Sequence, residues 1–219
     1  MKHPKKKRFK NWKYYLLELL VVFVGVTGAF LLNTWRENRI ARTQVNNYME
    51  SLRADLRKDQ ETLKENIEFL TSNNRMLRKF TEYPGEDWTT DSTRLVLYNS
   101  FQLVSFRGKS STYESMKYSG HLTLINDFDT RTAIVAYYES FAAIALLDDL
   151  AMEWTTAQIL ETYLDKIDFR TLEVIDSSIF NELSFLNRLS GLWALLNQNL
   201  SAYTELLEEN KTLLNLLDK

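Results

Sequence analysis

From Tyr14 to Leu32 the sequence holds about 19 consecutive residues among which only Glu18 is charged. At ~1.5 Å rise per residue a helix over this run is ~28 Å long, close to the ~30 Å hydrocarbon core of a bilayer. No other feature limits the fold so severely. A segment of this length and apolarity belongs in lipid, and the rest of the chain must then sit on one side of it. Lys2, Lys5, Lys6, Lys7, Arg8, Lys10 and Lys13 crowd ahead of the run, whereas Arg36, Arg39 and Arg42 behind it are diluted by Glu37. This bias places a basic tail (1–13) in the cytoplasm, a transmembrane helix at 14–35 and everything from 36 onward outside. Lys13, Tyr14, Tyr15 and Trp35 stand where interfacial anchors belong. The run extends past the small-residue site Thr27-Gly28-Ala29 and exceeds the apolar core of a cleaved signal peptide, so it reads as an uncleaved signal anchor.

In the run and just past it, four small or polar residues share one side. At about 100° per residue, Gly25 and Ala29 fall within about 20° of Glu18, and Asn33 within about 60°. Gly25-x-x-x-Ala29 is a spacing that lets two helix backbones approach closely. Glu18 lies about one turn inside the cytoplasmic edge, where a carboxylate either snorkels to the headgroups or meets a partner helix. The face made by Glu18, Gly25, Ala29 and Asn33 is thus a candidate transmembrane interface.

Charge separates the two ends of the chain. The first 35 residues carry a net of +6. The remainder carries 20 Lys and Arg against 28 Asp and Glu, a net of −8, which together give the −2 of the whole. The outer part is acidic and has no basic stripe, which argues against nucleic acid as a partner. The basic tail suits anionic lipid headgroups. With no cysteine, disulfides, thiolate metal sites and thiol nucleophiles are excluded.

Proline and glycine are scarce, and neither occurs between Gly28 and Pro84. The spacing therefore predicts that the anchor continues as a juxtamembrane helix over 36–82. Val45, Met49, Leu52, Leu56, Leu63, Ile67, Leu70 and Leu77 mark a narrow stripe along it, with Asp59, Asn73 and Asn74 on the same seam. Such a stripe either continues the membrane contact as a coiled coil or packs on the last helix of the same chain. The polar seam residues suit a wet, register-setting contact.

Residues 83–219 read as the rest of a helical bundle. Tyr83 to Asp87 is a turn. Asp91 caps a short helix through Phe101, and 107–110 is a loop. Ser111 begins a second short helix with Glu114 in a capping box and Gly120 as its stop. Asp127 or Asp129 caps a long helix to about Leu164, with Ile144, Leu147, Leu150 and Trp154 on its apolar face. Lys166 to Ile175 reads as irregular or extended. Asp176 or Ser177 opens the last helix, whose apolar face runs through Leu183, Leu189, Trp193, Leu196 and Leu207. Gly191 inside it marks close packing. The fold class is all-α: one transmembrane helix continuing into a long helix, plus an antiparallel bundle.

Two segments look familiar. The first runs from Glu18 through Gly25, Ala29, Asn33 and Trp35 to Glu37. The second is Thr112-Tyr113-Glu114-Ser115-Met116-Lys117-Tyr118-Ser119-Gly120-His121-Leu122-Thr123-Leu124-Ile125, with Tyr137-Tyr138-Glu139 behind it. They resemble the Glu-x-x-Leu-Val-Val-x-Gly-Ile-x-x-Ala-x-x-x-Asn-x-Trp-x-Glu anchor and the Thr-Tyr-x-x-Leu-Lys-x-Ser-Gly-x-Leu-x-x-Ile box of a family of N-terminally anchored bacterial membrane proteins. The likeness covers most of the chain in layout. Thr27 and Gly28 stand where that family has aliphatics, and Met116 stands for its leucine. The resemblance implies a Gram-negative inner membrane and a periplasmic helical domain. It brings no activity and no substrate.

Tyr113, Lys117, Gly120 and His121 form either a binding surface or a structural corner. His121 has no ligand-spaced His or Cys near it, so no metal site is expected. Asp148, Asp149 and Glu153 read as a solvated face, and Trp88, Trp154 and Trp193 as core or rim aromatics. No Gly-rich phosphate loop, nucleophile elbow or zinc-helix motif occurs, and no catalytic residue or cofactor is expected. The function so implied is non-enzymatic: a single-pass scaffold or accessory subunit working by helix–helix association, as a homo-oligomer or with another membrane protein. Two other classes stay open. One is a homo-oligomeric channel with Glu18 and Asn33 near its path. The other is a periplasmic ligand sensor that signals through a partner.

Overall fold

The structure, a computed structural model, describes residues 12–82, 90–171 and 173–218. The basic residues Lys2 to Lys10, the turn at Tyr83–Asp87 and Trp88 lie outside them. The elements in chain order are helix α1 (Trp12–Glu82), α2 (Thr90–Phe101), α3 (Ser111–Ser119), a 3-10 turn (His121–Leu124), α4 (Phe128–Trp154), a π-helical stretch (Thr155–Leu160), the short α5 (Glu161–Tyr163), β1 (Ile167–Asp168), β2 (Glu173–Val174), a second 3-10 turn (Ser177–Asn181) and α6 (Leu183–Leu217). The chain divides into two compact units, Met1–Asn47 and Tyr48–Lys219. The boundary falls inside α1, later than the end of the apolar run.

The described part of the first unit is helix alone. Its large apolar side chains, Leu16 through Leu32, are all exposed.

The second unit has its own core. From Leu52 the buried positions of α1, Asn74 apart, follow a heptad: Leu52, Asp59, Asn66, Asn73 and Phe80 at one site, and Leu56, Leu63, Leu70 and Leu77 at the other. The leucines are fully buried by this chain itself. The stripe is therefore not an open coiled-coil seam awaiting a partner, as one reading of the sequence had it. α6 covers part of it in antiparallel sense: Asn210 donates to the Leu56 carbonyl (3.0 Å), and Arg53 bonds Asp218 (3.0 Å). α4 runs antiparallel to α6 and parallel to α1, with Tyr137 joined to both Asp59 (3.1 Å) and Asn210 (3.1 Å).

Several local expectations are met. Gly120 ends α3 at φ +75°, where a side chain is strained, and returns its N–H to the Lys117 carbonyl (3.3 Å). Asp127 caps α4 by accepting from the Thr130 N–H (2.9 Å). Others are corrected. α2 begins at Thr90, one residue ahead of the expected cap. No capping box forms at α3: Ser110, not Ser111, holds the cap position, and it makes no side-chain cap bond, while Thr112 donates to Asp55 of α1 (2.5 Å). Asp176 caps the 3-10 turn, not α6, which starts later at Leu183 and leaves that leucine exposed. Within the segment read as irregular or extended, β1 and β2 pair antiparallel, Ile167 opposite Val174, as the extended reading expects.

α4 does not reach Tyr163 as a regular helix. It widens to π winding at Thr155–Leu160, and α6 fastens it there. Trp154 donates its indole N–H to the Arg188 carbonyl (3.0 Å), while the Arg188 guanidinium bonds the Gln158 carbonyl (3.2 Å) and the Thr162 hydroxyl. Gly191 lies beneath Trp154: a Cβ there would stand 2.3 Å from the indole ring. The close packing read from this glycine is present.

Candidate functional site

Two places concentrate polar chemistry. The first is the face of α1 within its apolar segment. α1 is the one described helix long and apolar enough to cross a membrane, and none of that stretch is buried by the rest of the chain. A core helix of a soluble protein with this composition would be covered. Glu18, Gly25, Ala29 and Asn33 are all exposed. A Cβ at Gly25 or at Gly28 would meet no atom within 4 Å. No contact inside this chain calls for either glycine. Asn33 is engaged one turn on, donating to Glu37 (2.8 Å). At the ends of the segment Tyr14 and Tyr15 sit edge to face at 6.1 Å, beside exposed Lys13, and the Arg39 guanidinium lies 5.8 Å from the Trp35 ring.

The second is a strap, residues 102–110, that crosses the second unit without regular structure. Backbone groups in such a segment need partners, and side chains of the long helices supply them. Asn73 donates to the carbonyls of Asn99 (3.1 Å) and Gln102 (3.2 Å), and Asn66 to that of Ser105 (3.3 Å). Asp59 accepts from the Lys109 N–H (2.8 Å). This is why one site of the heptad is polar: it faces backbone and not another leucine row.

Two buried carboxylates pin the strap from opposite sides. Asp59 of α1 also accepts from the Tyr137 hydroxyl. Asp148 of α4 accepts from the Phe106 N–H (2.9 Å), the Tyr203 hydroxyl (2.7 Å) and the Asn199 amide (3.2 Å), with Arg107 at 3.4 Å. Burial pushes both carboxyls above their usual range, and the bonds from Lys109 and Tyr137 at one, and from Tyr203 and Phe106 at the other, pull back. Burial raises the Tyr137 and Tyr203 hydroxyls well above the ordinary tyrosine value; the facing carboxylates add to it, so both stay donors.

Asp148 corrects the sequence reading directly. Its side chain is 2% exposed, against 73% for Asp149. The pair does point apart, but only one of the two is solvated. Of the expected apolar face of α4, Ile144 is buried and Leu150 is 41% exposed; Asp148, Ala151, Thr155 and Ile159 face inward beside Ile144. Inward spacing of Asp148 from Ile144 and Ala151 was the available signal.

Tyr113 is buried and stacked on Tyr138 (4.4 Å between centroids, 8° between planes). The Lys117 ammonium lies 5.6 Å over the Tyr113 ring, and His121 Nδ1 is 3.3 Å from the Tyr48 hydroxyl. Only Lys117 and Gly120 of the four are exposed. Among the described residues no three His, Cys, Asp or Glu side chains converge as a metal site would require. Comparison with known proteins adds no relative: no family model, curated protein or solved structure matches the chain.

Proposed function

We propose that the chain is a non-enzymatic, single-pass membrane scaffold or accessory subunit that works by helix–helix association. In this reading α1 spans a bacterial inner membrane with its N-terminus in the cytoplasm and the bundle in the periplasm. One observation carries the proposal: an apolar helix of spanning length that nothing in the chain covers. The small-residue face supports it. Gly191 has a reason inside the chain and Gly25 has none. The face of Glu18, Gly25, Ala29 and Asn33 is then the surface offered to a second membrane helix, from another copy or another protein. The role assigned to residues 45–77 is narrower than the sequence suggested, because the chain fills that stripe itself. Association rests on the anchor, and the bundle is the cargo it presents.

Native mass spectrometry of the chain purified in a mild detergent tests this. The expected result is a species larger than the monomer that falls to monomer in Gly25→Leu. A monomer in both forms, with no co-purifying membrane protein, overturns it.

A further inference from the structure

On the surface of the second unit α4 and α6 flank an open groove of about 590 Å³. Its floor is Ala133 and Ala136 of α4, the Tyr137 side chain and Leu213 of α6. The α6 edge carries Glu205, Glu208 and Glu209, spaced three and four apart so that they line up along one side. The Ser140 hydroxyl donates to Glu209 (3.1 Å) and ties the two helices together. On the α4 side Asp129 and Glu139 are exposed and lie within about 60° of Ala136 around the helix. The nearby cation, Lys211, is itself bonded to Glu208 (2.5 Å).

We propose that this groove receives an amphipathic α-helix bearing lysine or arginine along its edges, contributed by a partner protein. Two alanines on the floor leave the α4 backbone shallowly covered, so the axis of a third helix approaches to packing distance without displacing bulk. A mainly apolar floor between charged edges is the recognition pattern of a helix in a groove. The sign of the edges selects the occupant. Acidic edges repel anionic headgroups and attract a basic helix. A second copy of the bundle docked by two-fold symmetry would bring the same carboxylates against their own kind. This site lies wholly within residues 48–219, so it stands or falls separately from the anchor reading.

The test uses the full chain in a neutral detergent and a labelled helical peptide of alanine, leucine and lysine, about four turns long, read by fluorescence anisotropy. A second peptide carries glutamate in place of lysine. The expected result is saturable binding of the basic peptide alone, weakening as salt is raised. The pair Glu205→Gln with Glu208→Gln, and separately Ala136→Trp, should each weaken it by about tenfold or more. The pair Glu61→Gln with Glu65→Gln, on the exposed side of α1, should leave it unchanged. Circular dichroism of each variant confirms that the helices persist. Four outcomes overturn the proposal: no saturable binding, equal loss with the α1 pair, complete displacement by spermidine, or loss of a chain oligomer in Ala136→Trp.

Discussion

One helix, α1, obeys different rules in its apolar run, residues 14–32, and beyond Tyr48. In the run the large apolar side chains are exposed all round, and Glu18, Gly25 and Ala29 share one face. Beyond Tyr48, leucines recur with a strict period and the intervening heptad site turns polar. Backbone geometry is the same in both halves, so what differs is the solvent each expects. The first is apolar on every side and is buried by nothing in the chain. The second is written for a neighbour that is part leucine and part naked backbone. An apolar stripe shows that a helix face is covered. The polar residues within the stripe show by what.

The largest effect should come from the second half's surroundings. Asp148→Ala leaves the Phe106 N–H, the Tyr203 hydroxyl and the Asn199 amide without their shared acceptor, all in the interior. The expected loss of bundle stability is about 3–5 kcal/mol, as for a broken buried network. Asp148→Asn keeps one acceptor oxygen and should cost less. Urea unfolding followed by tryptophan fluorescence reads both. An unchanged midpoint for Asp148→Ala would mean that the strap is not held by this carboxylate.

A smaller and sharper contrast lies between two glycines. Gly191→Ala drives a methyl into the Trp154 ring, and overpacking of this kind costs about 1–3 kcal/mol. Gly25→Ala meets nothing within the chain, so the bundle should melt at the wild-type temperature. If Gly25→Ala lowers the bundle's melting point as much as Gly191→Ala does, the division of the helix into two regimes fails.

The two halves also differ in how far the sequence could be read. The apolar run needs only a count of residues. The extent of α1 follows from the absence of breakers up to Pro84, and the α4 cap follows from Asp127 and its neighbours. Asp59 and Asn73 were visible as polar residues on an apolar seam, but the segment they hold lies about 30 to 50 residues further on and has no period of its own. Asp148 was misplaced for a related reason. α4 is apolar on most faces, so its pattern does not fix which face points inward, and a π segment shifts the register again beyond Trp154. The groove between α4 and α6 depends on two helices whose pairing no local pattern encodes.

The smallest effect is a slope. Asp59 and Asp148 have native pKa values raised above those of an unfolded chain, first by burial. The native state therefore binds more protons than the unfolded state between the unfolded pKa, near 3.9, and the native one. Within that window the bundle loses stability as pH rises, at most about 1.4 kcal/mol per pH unit for each group, and above the native pKa the loss is complete and constant. Asp176 and Asp168 run the other way. Their carboxyls are held below the usual range, first by Lys166 and by Arg170 respectively, so whatever they contribute disappears only as pH falls below that range. Stability measured from pH 7 down to about pH 4 should rise first and turn over only at the acid end. Asp59→Asn and Asp148→Asn should each flatten the rising part, and the double variant should remove it. Glu18→Gln, which lies in the first unit, should leave the whole profile where it is.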